Sequence, residues 1–141
     1  LVEKIKNCAK GAALAEGCKL KICQFEFNYD NMVTNKKLSD VFNEKIYEVA
    51  GIKMNSPSKN TGSIDAGQVS HVCPTIHPYF DITNDKNIVG HTREMAKSTL
   101  TDYAKEQMKN TIAALVLTAA EVMQNTELYK KIKYEFDHTE K

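Results

Sequence analysis

The chain has no tryptophan, only three prolines and six glycines in 141 residues, and a net charge of +1 from 19 basic and 18 acidic side chains. Its single arginine is Arg93. A near-neutral balance with one bidentate phosphate clamp argues against a nucleic-acid partner, which calls for a basic face. No run approaches the ~18 apolar residues of a membrane-spanning helix. The opening Leu1-Val2-Glu3-Lys4-Ile5-Lys6 lacks the apolar stretch of a secretory leader. No initiator methionine is present, so the start reads as a cut inside a longer chain. Cys8, Cys18, Cys23 and Cys73 form no C-x-x-C pair. Three of them fall on apolar faces of predicted elements, as small buried thiols do. The expected state is reduced and the expected location cytoplasmic.

What is present is periodic. Val2, Ile5, Cys8, Ala9 and Ala12 recur at helical spacing, and Gly17 is placed to end that helix. Residues 18–27 alternate as a strand does, with a phase slip near Ile22-Cys23 that predicts a bulge. Asn28-Tyr29-Asp30-Asn31 is a turn-rich exit. Leu38, Val41, Phe42, Ile46 and Val49 stripe a second helix over 36–50, capped by Thr34 or Asn35 and ended by Gly51. A polar loop covers 53–63. The pattern predicts a second strand over 72–82, which Pro74 and Pro78 make either an edge strand or irregular. Helices follow over 93–100, 101–124 and 127–137. The longest carries an apolar stripe of Ala104, Met108, Ile112, Leu115, Val116, Ala119, Val122 and Met123.

Charge is uneven. Residues 61–90 hold one base, Lys86, against Asp65, Asp81 and Asp85, together with His71 and His77. Candidate chemistry lies here and just beyond. The loop Gly62-Ser63-Ile64-Asp65-Ala66-Gly67-Gln68-Val69-Ser70 can expose backbone N–H groups to a carboxylate; it also reads as a plain surface turn. His91, between Gly90 and Thr92, offers a neutral imidazole for a metal or for proton transfer, or else a solvent-facing ring before a helix. Alternation over 72–82 would put His71, Cys73 and His77 on one face, but no fourth ligand at zinc-finger spacing follows.

Taken in order, these pieces resemble a known family. The run Val2–Ala15 looks like the second helix of a lid domain, and Tyr29-Asp30-Asn31-Met32 with Asn35 and Leu38 is similar to the return from lid to core. Ser63-Ile64-Asp65-Ala66-Gly67-Gln68-Val69-Ser70 resembles an S/T-x-D-x-G-x-V-S loop, Pro74-Thr75-Ile76-His77-Pro78 the strand after it, and Gly90-His91-Thr92 a G-H-S/T motif. The family is that of the dinuclear-metal amidohydrolases and peptidases of the aminoacylase and carboxypeptidase type, in a p-aminobenzoyl-glutamate hydrolase-like branch.

The resemblance implies an α/β fold. Residues 1–30 would be the end of a ferredoxin-like lid or dimerisation domain (a helix plus a strand), and 31–141 the helix-rich C-terminal part of the catalytic core. It implies two divalent ions, zinc or manganese, which activate water to cleave an amide bond. The substrate class would be an N-acyl amino acid, aminobenzoyl-glutamate or dipeptide-like molecule. His91 becomes the metal ligand, and Gly62, Ser63, Asp65 and His77 candidates for the substrate carboxylate. The family's first metal motif and its Glu-Glu pair with the general base have no counterpart here, so the chain alone is expected to be inactive. No membrane or nucleic acid is expected as a partner; a homodimer is, through the unpaired strand at 18–27. The competing reading is a non-catalytic binding or oligomerisation module derived from that family.

Overall fold

A computed structural model describes residues 1–54 and 64–140. Six helices make up its regular structure: α1 (Val2–Ala15), α2 (Lys36–Ala50), α3 (Ala66–Ser70), α4 (Arg93–Ser98), α5 (Asp102–Gln124) and α6 (Thr126–His138). Their ends follow local chemistry. The Asn35, Thr101 and Asn125 side chains accept from backbone N–H groups of Leu38, Ala104 and Leu128, capping α2, α5 and α6. Gly51 stops α2 at φ 66°, and Gly17 follows α1 at φ 60°, a left-handed conformation that suits glycine.

The packed body consists of α2, α5 and α6. Phe42, Ile46 and Ala114 form its centre, with Ile52, Met54 and Ile76 against them. The buried line of α5 is small and partly polar: Ala104, Thr111, Ala114 and Thr118. The two threonine hydroxyls donate back to the carbonyls of Gln107 (2.8 Å) and Ala114 (2.7 Å), so their burial leaves no donor unmet. Of the apolar stripe read from the sequence, Ala104 is buried and Val122 partly covered, whereas Val116 is 62% exposed and Met123 85%. α6 is joined to α2 by Glu135, whose carboxylate accepts from the backbone N–H groups of Lys36 and Lys37, the positive end of the helix. Asn35 completes the junction by donating to the carbonyl of Ile132 (3.0 Å).

The expected α/β class does not hold, since the described residues contain helices and no strand. Residues 18–27 were to be the strand of a partial ferredoxin-like lid. A strand satisfies its backbone only through a neighbour about 4.8 Å away, and none lies beside it; the chain runs open, with Phe25 91% and Phe27 89% exposed. The strand edge from which a homodimer was expected is therefore absent. Residues 72–82, expected as an edge strand or irregular, take the irregular form. Pro74 and Pro78 remove two donors, and the segment is held by Asn35 N–H donating to the Thr75 carbonyl (2.9 Å) and by Ile76 packing on the core. The expected burial of cysteines fails too: all four thiols are free and exposed.

Candidate functional site

The motif-bearing residues fall on three short pieces. The first is α3, which the sequence presented only as part of a loop. Gly67 N–H donates to the Ile64 carbonyl (3.3 Å) and Gln68 N–H to that of Asp65 (3.0 Å), closing the first turn. Asp65 sits at the N-cap, exposed, and its side chain makes no capping bond. Gly62 and Ser63, the other candidates of this loop, lie outside the described residues.

The polar side chains in the second half of the motif bond to backbone groups of residues 30–33 and of α3 itself. Gln68 Oε1 accepts from Asp30 N–H (2.8 Å), and Ser70 Oγ accepts from Val33 N–H (2.9 Å) while donating to the Gly67 carbonyl (2.6 Å). His71 Nε2 lies 3.0 Å from the Asn31 carbonyl and donates to it in the Nε2–H tautomer. Gly67 is buried, and a Cβ there would collide with the carbonyl oxygen of Asp30. Thus α3 clasps residues 30–33 edge-on, and Gly67 supplies the clearance. Sequence reasoning singled out Gly67 and Ser70 within the motif but missed this work.

His91 is the second piece. It adopts φ 62°, the only positive φ outside glycine among the described residues. A left-handed histidine is uncommon and carries a backbone cost. The ring is exposed. Thr92 then fixes the next turn: its hydroxyl accepts from Met95 N–H (3.2 Å) and donates to the Val89 carbonyl (2.7 Å). His91 is so held between Gly90 and a capped helix, projecting from a tight turn.

The third piece carries His77, exposed and edge-on to Tyr79 with ring centres 4.8 Å apart. Without a strand at 72–82, alternation no longer aligns His71, Cys73 and His77. Among the described residues no three His, Cys, Asp or Glu side chains gather as a metal site. His91 alone does not fit a two-ion centre, and Asp65, His71 and His77 do not complete one. Two surface hollows lie elsewhere, one at the end of α2 beside Tyr47, Ile52 and Met54, the other between α2 and α6 beside Lys36, Lys130 and Tyr134.

No family model matches the chain. It is similar to two curated proteins, both named Xaa-Arg dipeptidase. The human protein is 34% identical over 143 aligned positions, covering 96% of this chain and 31% of the relative. The mouse protein is 32% identical over 142, covering 96% and 32%. The chain spans about a third of the length of the relatives it matches. No described helix is long and apolar enough to cross a membrane.

Proposed function

We propose that these residues belong to a metal-dependent peptide hydrolase whose substrate is a dipeptide or a closely related amide. The observation that carries this is the similarity to the Xaa-Arg dipeptidases along 96% of the chain. It brings the dipeptide ahead of the aminobenzoyl-glutamate substrate that the motif order first suggested. His91 is the proposed metal ligand; its exposed, left-handed presentation supports that role, because strained backbone is kept where geometry matters. The turn around Asp65, with Gly62 and Ser63, is the proposed seat of the substrate carboxylate, and His77 a further contact. By itself the chain is proposed to be inactive. A hydrolase must polarise a carbonyl and deliver water, and His91 is the one donor this reading assigns.

Two measurements test the reading. The purified 141-residue chain, given an Xaa-Arg dipeptide with zinc or manganese, is expected to release no product above background. A chimera in which it replaces the matched third of the human dipeptidase is expected to hydrolyse the same dipeptide and to lose that activity on His91→Ala. A folded chimera that is inactive, or one indifferent to His91→Ala, would overturn the assignment.

A further inference from the structure

The packed body is made of α2, α5 and α6, and α3 is no part of it. Little apolar surface holds α3 in place. Val69 is 47% exposed and Val72, just past the helix, 76%; within α3 only Gly67 and Ser70 are buried. Directional bonds hold it instead, and they run in order along two segments. Asp30 N–H meets Gln68 Oε1 (2.8 Å), Val33 N–H meets Ser70 Oγ (2.9 Å) and Asn35 N–H meets the Thr75 carbonyl (2.9 Å). Asn35 is 5% exposed and is tied to α2 at Leu38 and to α6 at Ile132, so this end of the seam is fixed inside the body. The other end is Gln68. Its side chain grips Asp30, and its own N–H donates to the Asp65 carbonyl (3.0 Å). One residue therefore joins the turn at Asp65 to the segment that enters the body.

We propose that Gln68 and Ser70 are positioning residues: through residues 30–33 they place the Asp65 turn on the body, and with it the substrate carboxylate that the turn seats. The proposal rests on the functional reading for what the turn does, but not for how the turn is held. Apolar burial has no direction, whereas a hydrogen bond prefers one distance and one angle. The bond from Asp30 to Gln68 is exposed, so water competes for both groups and its net contribution to stability is small; what it adds is direction. Gly67 makes the same point, because it brings the Asp30 carbonyl closer than any side chain would permit. The seam thus fixes where the turn sits more than how firmly the body folds. Losing one of its bonds moves substrate binding and leaves the melting of the body where it was.

The test compares Gln68→Met, which keeps the length of the side chain and removes the acceptor, with Gln68→Glu, which keeps an acceptor. Gln68 is exposed, so neither change reaches the core. In the 141-residue chain, Gln68→Met is expected to speed amide exchange about five- to tenfold at Asp30 and, across α3, at Gly67 and Gln68. The interior of α2 and α5 is expected to keep its rates and the chain its Tm, and Gln68→Glu to retain slow exchange. Ser70→Ala is expected to speed exchange at Val33 and at the same α3 amides. In the chimera, Gln68→Met is expected to raise KM for an Xaa-Arg dipeptide about five- to tenfold with kcat within about twofold, and Gln68→Glu to restore KM. Faster exchange at Asp30 with none at Gly67 and Gln68, a Tm that falls with Gln68→Met, or an active chimera whose KM ignores it would each overturn the proposal. Exchange is read without hydrolysis. A chimera that is inactive before any substitution therefore counts against the functional reading, and the exchange rates still decide whether the seam holds the turn.

Discussion

Residues 33–54 with 102–138 and residues 1–29 are comparably rich in apolar side chains, yet only the first region buries them. Val41, Phe42, Ile46 and Ile132 are almost completely covered, whereas Ile5, Leu14, Phe25 and Phe27 stand in solvent. The difference is one of available partners. A helix closes its own backbone bonds and then needs only another helix to cover one stripe. The body has three such helices, and each supplies the cover for the others. The first 29 residues have one helix, α1, which buries no residue, and a segment with no described strand beside it to cover its side chains. Apolar content alone is therefore no measure of core.

The sharpest way to break this comparison is to truncate one phenylalanine in each region. Phe42→Ala opens a hole at the centre of the body and is expected to cost about 3–5 kcal/mol. Phe25→Ala removes an exposed ring and is expected to stay within about 0.5 kcal/mol. Urea unfolding followed by helical circular dichroism reads both; equal effects would mean that residues 18–29 are packed after all.

That contrast also explains what could be read from the sequence. The bounds of α2, α5 and α6 to within a residue, the cap of α2 narrowed to Thr34 or Asn35 and the stop at Gly51 were legible because they depend on near neighbours, whereas the cap that Asn125 gives α6 was not read. The two strands were not, because a strand is a statement about another strand, and alternation in 18–27 carries no information on whether one is there. The buried line of α5 was not read from the sequence, for a related reason. The apolar stripe is the stronger pattern, but α2 approaches the small line of Ala104, Ala114 and the threonines, whose hydroxyls bond within their own helix. In the candidate site, Asp65 and His91 were singled out from the sequence, and both are exposed. The partners of Gln68, Ser70 and His71, some 40 positions away, left no local trace.

The seam between the regions is tested by Gly67→Ala. The added methyl meets the Asp30 carbonyl, so the clasp on residues 30–33 is expected to open at a cost of about 1–3 kcal/mol. Amide exchange at Asp30 and Val33 should rise while the interior of α2 and α5 stays protected. Unchanged exchange at Val33 would show that the clasp does not hold the two regions together.

The smallest expected effect lies at the edge of the body. The Lys36 amine is held above its ordinary value of 10.5, first by its hydrogen bond to Asp40 and by the charge of that carboxylate, with Glu135 adding to it. Because the folded value is raised, the contribution is complete below pH 10.5 and is lost as pH rises through the raised value. Lys36 is exposed, so solvent keeps the effect small. Titration followed by NMR should show the amine returning towards its ordinary value in Asp40→Asn; an unmoved titration would assign the shift elsewhere.

Asn35 has a consequence in time. Its side chain caps α2 through Leu38 N–H and also donates to the carbonyl of Ile132, 97 positions later in the chain. At about 5–20 residues per second of synthesis, the second bond cannot form until about 5–20 s after Asn35 is made. For that interval α2 has its cap but not its anchor, and Glu135 has not yet reached the amides of Lys36 and Lys37. The three-helix body is thus sealed only when α6 leaves the ribosome, and the order of synthesis leaves its oldest helix waiting for its youngest.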